Sequence, residues 1–272
     1  MIIGIDVGIS TTKIVGLDAN KCIVSPIRIK ANDPVTSLYG AFGKYLHDNK
    51  IALEDVEQVM LTGVGAGYIE GNIYGRPTAV VDEFLSNGLG AMFLVNLERM
   101  IVVSMGTGTS LVQCDGGKIE RTGSFALGGG TLSGLARVML KTSDISQVLE
   151  LASKGDLKNI DLQIGDISAH PVPGLPMDIT ASLFGNAKPD AKPEDIALGI
   201  IWMVLQTIGS ATILSSLGSG IKDYVMIGNL SLLPQCKTLF PIMEGIYGVR
   251  FHIPEYSEFS TALGAALSFY DK

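Results

Sequence analysis

Short apolar runs broken by small polar turns open the chain. Ile2-Ile3-Gly4-Ile5 is apolar, Asp6 to Thr12 is small and polar, and Lys13-Ile14-Val15-Gly16 resumes the apolar pattern. This predicts two strands around a turn. Val35, Leu38, Phe42, Tyr45 and Leu46 recur at helical spacing and predict a helix over 35–48. Val56 to Leu61 reads as a buried strand ending at Thr62-Gly63. Pro77 then opens a predicted helix over 78–95, where its missing N–H costs nothing. A second strand–turn–strand follows: Ile101-Val102-Val103, a turn over 104–110, then Leu111-Val112-Gln113. Its shape repeats that of residues 2–17 and predicts a duplicated lobe.

Beyond it the pattern predicts a hairpin ending near Phe125, a glycine run at 128–130 and a helix over 132–141. Residues 144–193 mix short helices with a Pro-rich stretch. Ala197 to Leu217 carries no charge and is long enough to span a bilayer. Gln206, Thr207, Ser210, Thr212, Ser215 and Ser216 interrupt it, so a buried helix is the better reading. Tyr224-Val225-Met226-Ile227 is a buried strand ending at Gly228-Asn229. The last helix, over 260–270, is rich in Ala and Gly and should pack closely. The expected lobes are 1–99 and 100–272, with the terminal helix able to pack back on the first.

Composition narrows the classes. The 272 residues are 47% hydrophobic and 17% charged, with 33 glycines, as in a globular α/β protein. A net charge of -7 argues against a nucleic-acid surface but leaves nucleotide binding open. Cys22, Cys114 and Cys236 are odd in number and far apart, and His47, His170 and His252 lack metal-ligand spacing. The first residues lack the basic region of a signal peptide, so a cytoplasmic location is the default.

Four turns are candidates for phosphate chemistry. In the first, Gly8 permits close backbone approach, Ser10, Thr11 and Thr12 add hydroxyls, and Asp6 offers a carboxylate for Mg²⁺, directly or through water. In the second, Gly106, Thr107, Gly108 and Thr109 combine flexible backbone with hydroxyls. The third, Gly128-Gly129-Gly130-Thr131, opens a helix whose N–H groups favour anions. The fourth, Gly228-Asn229, ends a strand where a flat base can lie against the backbone. Taken singly, each also fits an ordinary turn. None matches a P-loop, and a strand rather than a helix follows the first two, which disfavours a dinucleotide fold.

The order of these elements resembles the phosphate-1, phosphate-2 and adenosine elements of actin-like ATPases. Within that architecture the chain resembles the type II pantothenate kinases over nearly its whole length. The resemblance rests on Gly4-Ile5-Asp6-Val7-Gly8 with Lys13, on residues 105–111, and on Gly128-Gly129-Gly130 with Gly134-Leu135. It extends through Gly155-Asp156, Asn159-Ile160-Asp161-Leu162 and, most distinctively, Asp178-Ile179-Thr180-Ala181-Ser182-Leu183-Phe184-Gly185. Ile9 stands where the family has a second glycine, and Ser10 where it has Thr.

The resemblance implies two lobes of duplicated actin-like (ribonuclease H-like) topology with an interlobe ATP cleft. It implies phosphorylation of pantothenate by ATP and Mg²⁺ in a homodimeric enzyme. Asp6, Gly8, Ser10, Thr11, Thr12, Lys13, Gly106, Thr107, Gly108, Thr109, Gly128, Gly129, Gly130, Thr131, Phe184, Gly228 and Asn229 would then serve the nucleotide. Glu83 matches the family's catalytic base, with Asp82 the competing carboxylate, and Arg121 matches an Arg suited to substrate or transition-state charge. As a plain residue, Glu83 would be a solvated helix charge and Arg121 a hairpin surface cation. Rival readings are an N-acetylglucosamine or similar sugar kinase, a non-kinase ATPase that activates dehydratases through a cysteine-held iron–sulfur cluster, and a binding-only nucleotide sensor.

Overall fold

Alternation along the first strand sorts its side chains onto two faces. In the computed structural model, which describes residues 1–30 and 33–271, β1 (Ile2–Val7) sends Ile3, Ile5 and Val7 to one apolar cluster and Ile2 to another. Gly4 and Asp6 share the face of Ile2. The chain continues through β2 (Thr11–Leu17), β3 (Ile23–Lys30), α1 (Pro34–Asn49), β4 (Gln58–Thr62), β5 (Thr78–Val80) and α2 (Glu83–Val95). A second series follows: β6 (Met100–Met105), β7 (Thr109–Asp115) and β8 (Lys118–Phe125), then α3 (Gly129–Met139), α4 (Ile145–Ala152), β9 (Leu162–Gln163), α5 (Ile164–Ile167), β10 (Thr180–Ser182), α6 (Pro193–Ser216), β11 (Asp223–Ile227), α7 (Cys236–Tyr247), β12 (Arg250–His252) and α8 (Ser260–Leu267).

The two large sheets have one topology. The first runs β3-β2-β1-β4-β5 and the second β8-β7-β6-β11-β12. In each, an antiparallel hairpin (β1 with β2, β6 with β7) is joined on its other side by a parallel strand, β4 beside β1 and β11 beside β6. The duplication predicted from the two strand–turn–strand patterns is therefore present.

By contacts the described chain divides into two units. The first holds 1–124, 223–232 and 252–272, so it contains both sheets apart from Phe125 of β8 and Arg250 and Phe251 of β12. Within it α8 packs on one face of the first sheet, with Ala262, Leu263 and Ala266 against Ile2, Val15 and Leu17. α2 packs on the second sheet, with Ala91 and Phe84 against Met100, Val102 and Val225. The two helices cross in backbone contact. A Cβ on Gly264 would lie 1.7 Å from Ser86 O, one on Gly90 1.9 Å from Ser260 O, and one on Gly4 1.9 Å from Ala262 O. The close packing expected of the Ala/Gly-rich terminal helix has this cause.

The second unit, 125–222 and 233–251, is built on α6. Among the described residues this is the one helix long and apolar enough to cross a membrane. Its Ala197, Ile200, Ile201, Val204, Leu205 and Ile208 are fully buried, and α3, α4 and α7 pack around it. It is a core helix, as the interrupting polar residues indicated.

Several boundaries differ from expectation. The predicted helix over 78–95 splits: Thr78–Val80 pair with β4 as an edge strand, and the helix starts at Glu83. A Pro at 77 suits an edge strand as well as a helix start. The first turn is shorter than predicted, only residues 8–10, because Asp6 lies in β1 and Thr11 to Lys13 lie in β2. β3 and α7 were not predicted; α7 accommodates Pro241 within the helix, a residue that reads as a breaker.

If the α2–α8 crossing needs bare backbone, Gly264→Ala should cost about 3 kcal/mol or more, at the severe end of overpacking. Gly40, inside α1 with nothing within 4 Å, is the control. Gly40→Ala should add about 0.5–1 kcal/mol. Urea unfolding of both variants measures the contrast.

Candidate active site

The first hairpin brings a carboxylate and an amine face to face. Asp6 of β1 and Lys13 of β2 are cross-strand partners in register, and Lys13 Nζ lies 3.6 Å from Asp6 Oδ2. Their side chains are only 13% and 8% exposed. Burial pushes the Asp6 carboxyl up, and Lys13 works against that shift. A buried pair of this kind is sensitive to loss of either member, because the survivor is left uncompensated. Asp6→Asn would therefore leave the Lys13 ammonium buried without its counter-charge.

The surroundings keep the Asp6 oxygens open. Thr62 on β4 is the parallel register neighbour of Asp6, and Gly63 follows it with φ +84°. A Cβ at 63 would sit 2.5 Å from Asp6 Oδ1. The sequence marked Gly63 only as a strand end; its use is to leave the carboxylate room. The turn beyond Asp6 is closed by Gly8 N donating to Thr11 O at 3.1 Å, and a Cβ on Gly8 would meet that same oxygen at 2.7 Å. Ile9 and Ser10 at the tip are exposed. Thr12 faces the opposite side of the sheet from Lys13, is fully buried, and its Oγ1 has no partner among the described residues. It does not join Ser10 and Thr11 as an accessible hydroxyl.

Such a carboxylate suits Mg²⁺. That ion keeps several waters and takes one or two carboxylates together with substrate phosphates, rather than a protein cage. Among the described residues no group of three or more His, Cys, Asp or Glu forms a cage, and the ion-pair partner of Asp6 is Lys13.

Glu83 is the first residue of α2, half-buried. Ala79 and Val80, inside the helix predicted over 78–95, are on β5 instead; Asn87 and Gly90 are on α2. Burial pushes the Glu83 carboxyl up, and the charges of Asp6 and Asp82 add to this, with Lys13 opposing. The helix N-terminus favours the carboxylate form, but burial and the two acids outweigh it. Asp82 has a different task. It is the N-cap, accepting from Leu85 N at 2.9 Å, and is exposed. Arg121 on β8 is exposed, with its guanidinium 5.0 Å from the centre of the Phe84 ring and Nη2 donating to Ser124 Oγ at 2.8 Å. Phe84 thus ties the cation to the residue beside Glu83.

The second hairpin repeats the arrangement of the first. Gly106, Thr107 and Gly108 form its turn, with Thr107 exposed and Thr109 buried in β7. Gly228, with φ +90°, stands against Met105, where a Cβ would lie 2.7 Å from the carbonyl oxygen. Gly228 N donates to Ser257 O, and Ser231 Oγ donates to Gly228 O. Asn229 Oδ1 is buried without a partner among the described residues. These residues lie in the first unit together with Asp6, Lys13, Glu83 and Arg121.

In the second unit the glycine run opens α3: Gly128 is the N-cap, Gly129 and Gly130 the first turn, and Thr131 Oγ1 donates back to Ala126 O at 3.5 Å. Phe184 has its ring against α6, where a Cβ on Gly199 would lie 3.1 Å from it. Its φ of +58° is unusual for a bulky residue. Buried Asp161 holds that conformation, accepting from Phe184 N at 2.9 Å and from Thr180 Oγ1 at 2.8 Å. Asp195 likewise accepts from Asp156 N and Asn159 Nδ2. The scattered motifs at 155–162 and 178–185 are thus one hydrogen-bonded assembly.

Comparison with known proteins adds the following. The Fumble family model matches residues 92–234. A type II pantothenate kinase of Staphylococcus aureus (strain USA300) is 30% identical over 225 residues, covering 78% of this chain and 83% of the relative. Among solved structures, the activator of the 2-hydroxyisocaproyl-CoA dehydratase from Clostridium difficile with bound ADPNP gives a TM-score of 0.69 at 20% identity, covering 99% of this chain and 94% of its own. A ROK family glucokinase from Streptomyces griseus, in complex with glucose and AMPPNP, gives 0.59 at 13% identity over 97% of each chain. At these identities the likeness is one of fold, the duplicated α/β architecture of the actin-like ATPases.

Two stability measurements follow. Asp82→Ala should cost about 1 kcal/mol through loss of the cap, and Asp82→Asn much less. The raised Glu83 carboxyl gives stability that is present below the ordinary carboxylate range and lost as pH rises through its folded value. Glu83→Gln should therefore melt higher than the parent at about pH 8, and the gain should vanish at about pH 4. Melts across that interval check the sign.

Proposed function

Because the chain belongs to the Fumble family, that of the type II pantothenate kinases, and is a kinase, we propose that it phosphorylates pantothenate. The reaction would transfer the γ-phosphoryl group of ATP to pantothenate's primary hydroxyl, giving 4'-phosphopantothenate, the first step of coenzyme A biosynthesis. The observation that carries this reading is Glu83: a half-buried carboxylate at the start of α2, in the field of Asp6 and Lys13, with Arg121 on the neighbouring Phe84 ring.

In this reading the acceptor's hydroxyl oxygen attacks the γ-phosphorus, the bond to the bridging oxygen breaks, and ADP leaves. Glu83 accepts the hydroxyl proton, and its raised proton affinity brings it nearer the operating pH of a general base. Mg²⁺ on Asp6, directly or through water, would spread the charge of the phosphates. Lys13 opposes the burial that pushes the Asp6 carboxyl up. Gly8, Ser10, Thr11 and the turn 106–108 offer N–H and hydroxyl donors to phosphate oxygens, and Gly228 offers a flat backbone to the base. Arg121 is exposed and has no carboxylate partner among the described residues, so it is available to the substrate's carboxylate. A cytoplasmic homodimer belongs to the same reading.

The likeness to the dehydratase activator favours a second reading, an ATPase with a cysteine-held cluster. Its ligands would have to be thiolates at the surface. Cys114 and Cys236 are buried, with burial pushing each thiol up to about 12, which leaves Cys22 as the one exposed cysteine. The kinase reading is the better supported.

Coupled ADP release with pantothenate, pantetheine, N-acetylglucosamine and glucose tests the substrate. Turnover should be confined to pantothenate or its derivative, and turnover of a sugar alone would replace the assignment with a sugar kinase. Glu83→Gln should lower kcat by about 10²–10⁴-fold with little change in KM for ATP, and Asp82→Asn should be mild. Equal, small effects from the two would return Glu83 to a solvated charge.

A further inference from the structure

The proposed chemistry gathers at the carboxyl edge of the first sheet. There β1, β4 and β5 are parallel neighbours, with β4 in the middle. Their ends are level: Asp6 pairs with Thr62, and Leu61 with Val80. Ile9 follows the end of β1 by two residues, Val64 follows that of β4 by two, and Glu83 follows that of β5 by three. Ligands of open α/β sheets bind outside such carboxyl ends. Val64 thus extends the strand that lies between the strand of Asp6 and the strand leading to Glu83.

Local packing fixes Val64 in this place. Gly63 and Gly65, on either side of it, both lie against the end of β1. A Cβ would stand 2.9 Å from Val7 O at position 63 and 2.7 Å from it at position 65. The same Cβ on Gly63 would be 2.5 Å from Asp6 Oδ1. Ala66 N donates to Gly63 O at 3.0 Å and closes the turn. Bare backbone is pressed onto β1, and the side chain between the glycines is left 60% exposed. Ile9, at the tip of the neighbouring turn, is 67% exposed. Two large branched apolar side chains therefore stand beside the Asp6–Lys13 pair, where a site built for a polyol would present hydrogen-bonding groups.

We propose that Val64 and Ile9 form the apolar wall of the acceptor site and select an alcohol with a branched aliphatic carbon beside its hydroxyl over a polyol. Pantothenate has that form: the carbon next to its primary hydroxymethyl group carries two methyl groups. Apolar contact at the wall removes those methyl groups from water and leaves the adjacent hydroxyl to Glu83. A polyol in the same place would set hydroxyls against Val64 and Ile9 without partners. Ile9 stands where the family has glycine, so the wall is larger in this chain. The inference rests on the proposed kinase reaction with Glu83 as base.

The test uses the purified full chain, with pantothenate and with the analogue in which both methyl groups are replaced by hydrogen. Val64→Ser and Ile9→Ser, alone and together, remove the wall. Both positions are exposed, so the melting temperature should hardly move. In the double variant kcat/KM for pantothenate should fall by about 10–200-fold and its Kd from calorimetry should rise in step, with KM for ATP unmoved. The analogue should lose as much on the parent protein and little more on the double variant, because the methyl groups and the wall are one contact. Parental kcat/KM for pantothenate in the double variant, or losses that multiply, would show that the two side chains lie outside the acceptor site. A raised KM for ATP alone would move them to the nucleotide and overturn the proposal. Turnover of glucose or N-acetylglucosamine by the parent, with none of pantothenate, would strike the proposed function itself, a result distinct from the others.

Discussion

At the crossing of α2 and α8 there is no room for a single side-chain carbon. Gly264 meets Ser86 O, Gly90 meets Ser260 O, and Gly4 of β1 meets Ala262 O. Bare backbone at three positions brings α8 onto the first sheet and α2 onto α8. The distance from Glu83 at the head of α2 to Asp6 at the end of β1 is set by that stack. Dispersion forces reward such contact only at van der Waals distance, so the stack is intolerant of added volume. The same intolerance makes it a rigid support for the Glu83 carboxylate.

Onto this support the chain loads groups that oppose folding. Asp6 and Lys13 are taken from water as a pair, and Glu83 is half-buried beside two acids. Burial raises both carboxyls, so each is less comfortable ionised here than in the unfolded chain. The apolar clusters on either side of the α2–α8 layer offset that cost. Carboxyls perturbed in this way, gathered at one place, mark a candidate functional site.

Much of the frame was legible in the sequence. Two apolar runs with small polar turns specified the duplicated hairpins, and the polar residues of α6 identified it as a core helix. Legibility failed where a residue's role depended on a distant partner. Asp6 read as a turn residue and Lys13 as the start of a strand, but their pairing across β1 and β2 is a matter of register. Thr12 read as a phosphate donor because its hydroxyl is on the same short stretch, whereas strand alternation turns it to the other face. Glu83 was found through a resemblance, since a Glu at a helix start is common; only its burial beside Asp6 sets it apart. Gly63 gave no local signal, because it matters for what a different segment places next to it. α7 was hidden by its own proline.

Phe184 holds a backbone conformation that a bulky residue adopts only under constraint, and Asp161 supplies the constraint from 23 positions away. Neither residue makes sense alone. A lineage that lost the aspartate would leave the phenylalanine free to relax to negative φ, and one that replaced the phenylalanine by glycine would have less need of the aspartate. The two positions should therefore drift as a pair, so that their joint history across relatives would record a hydrogen bond rather than a shared ligand.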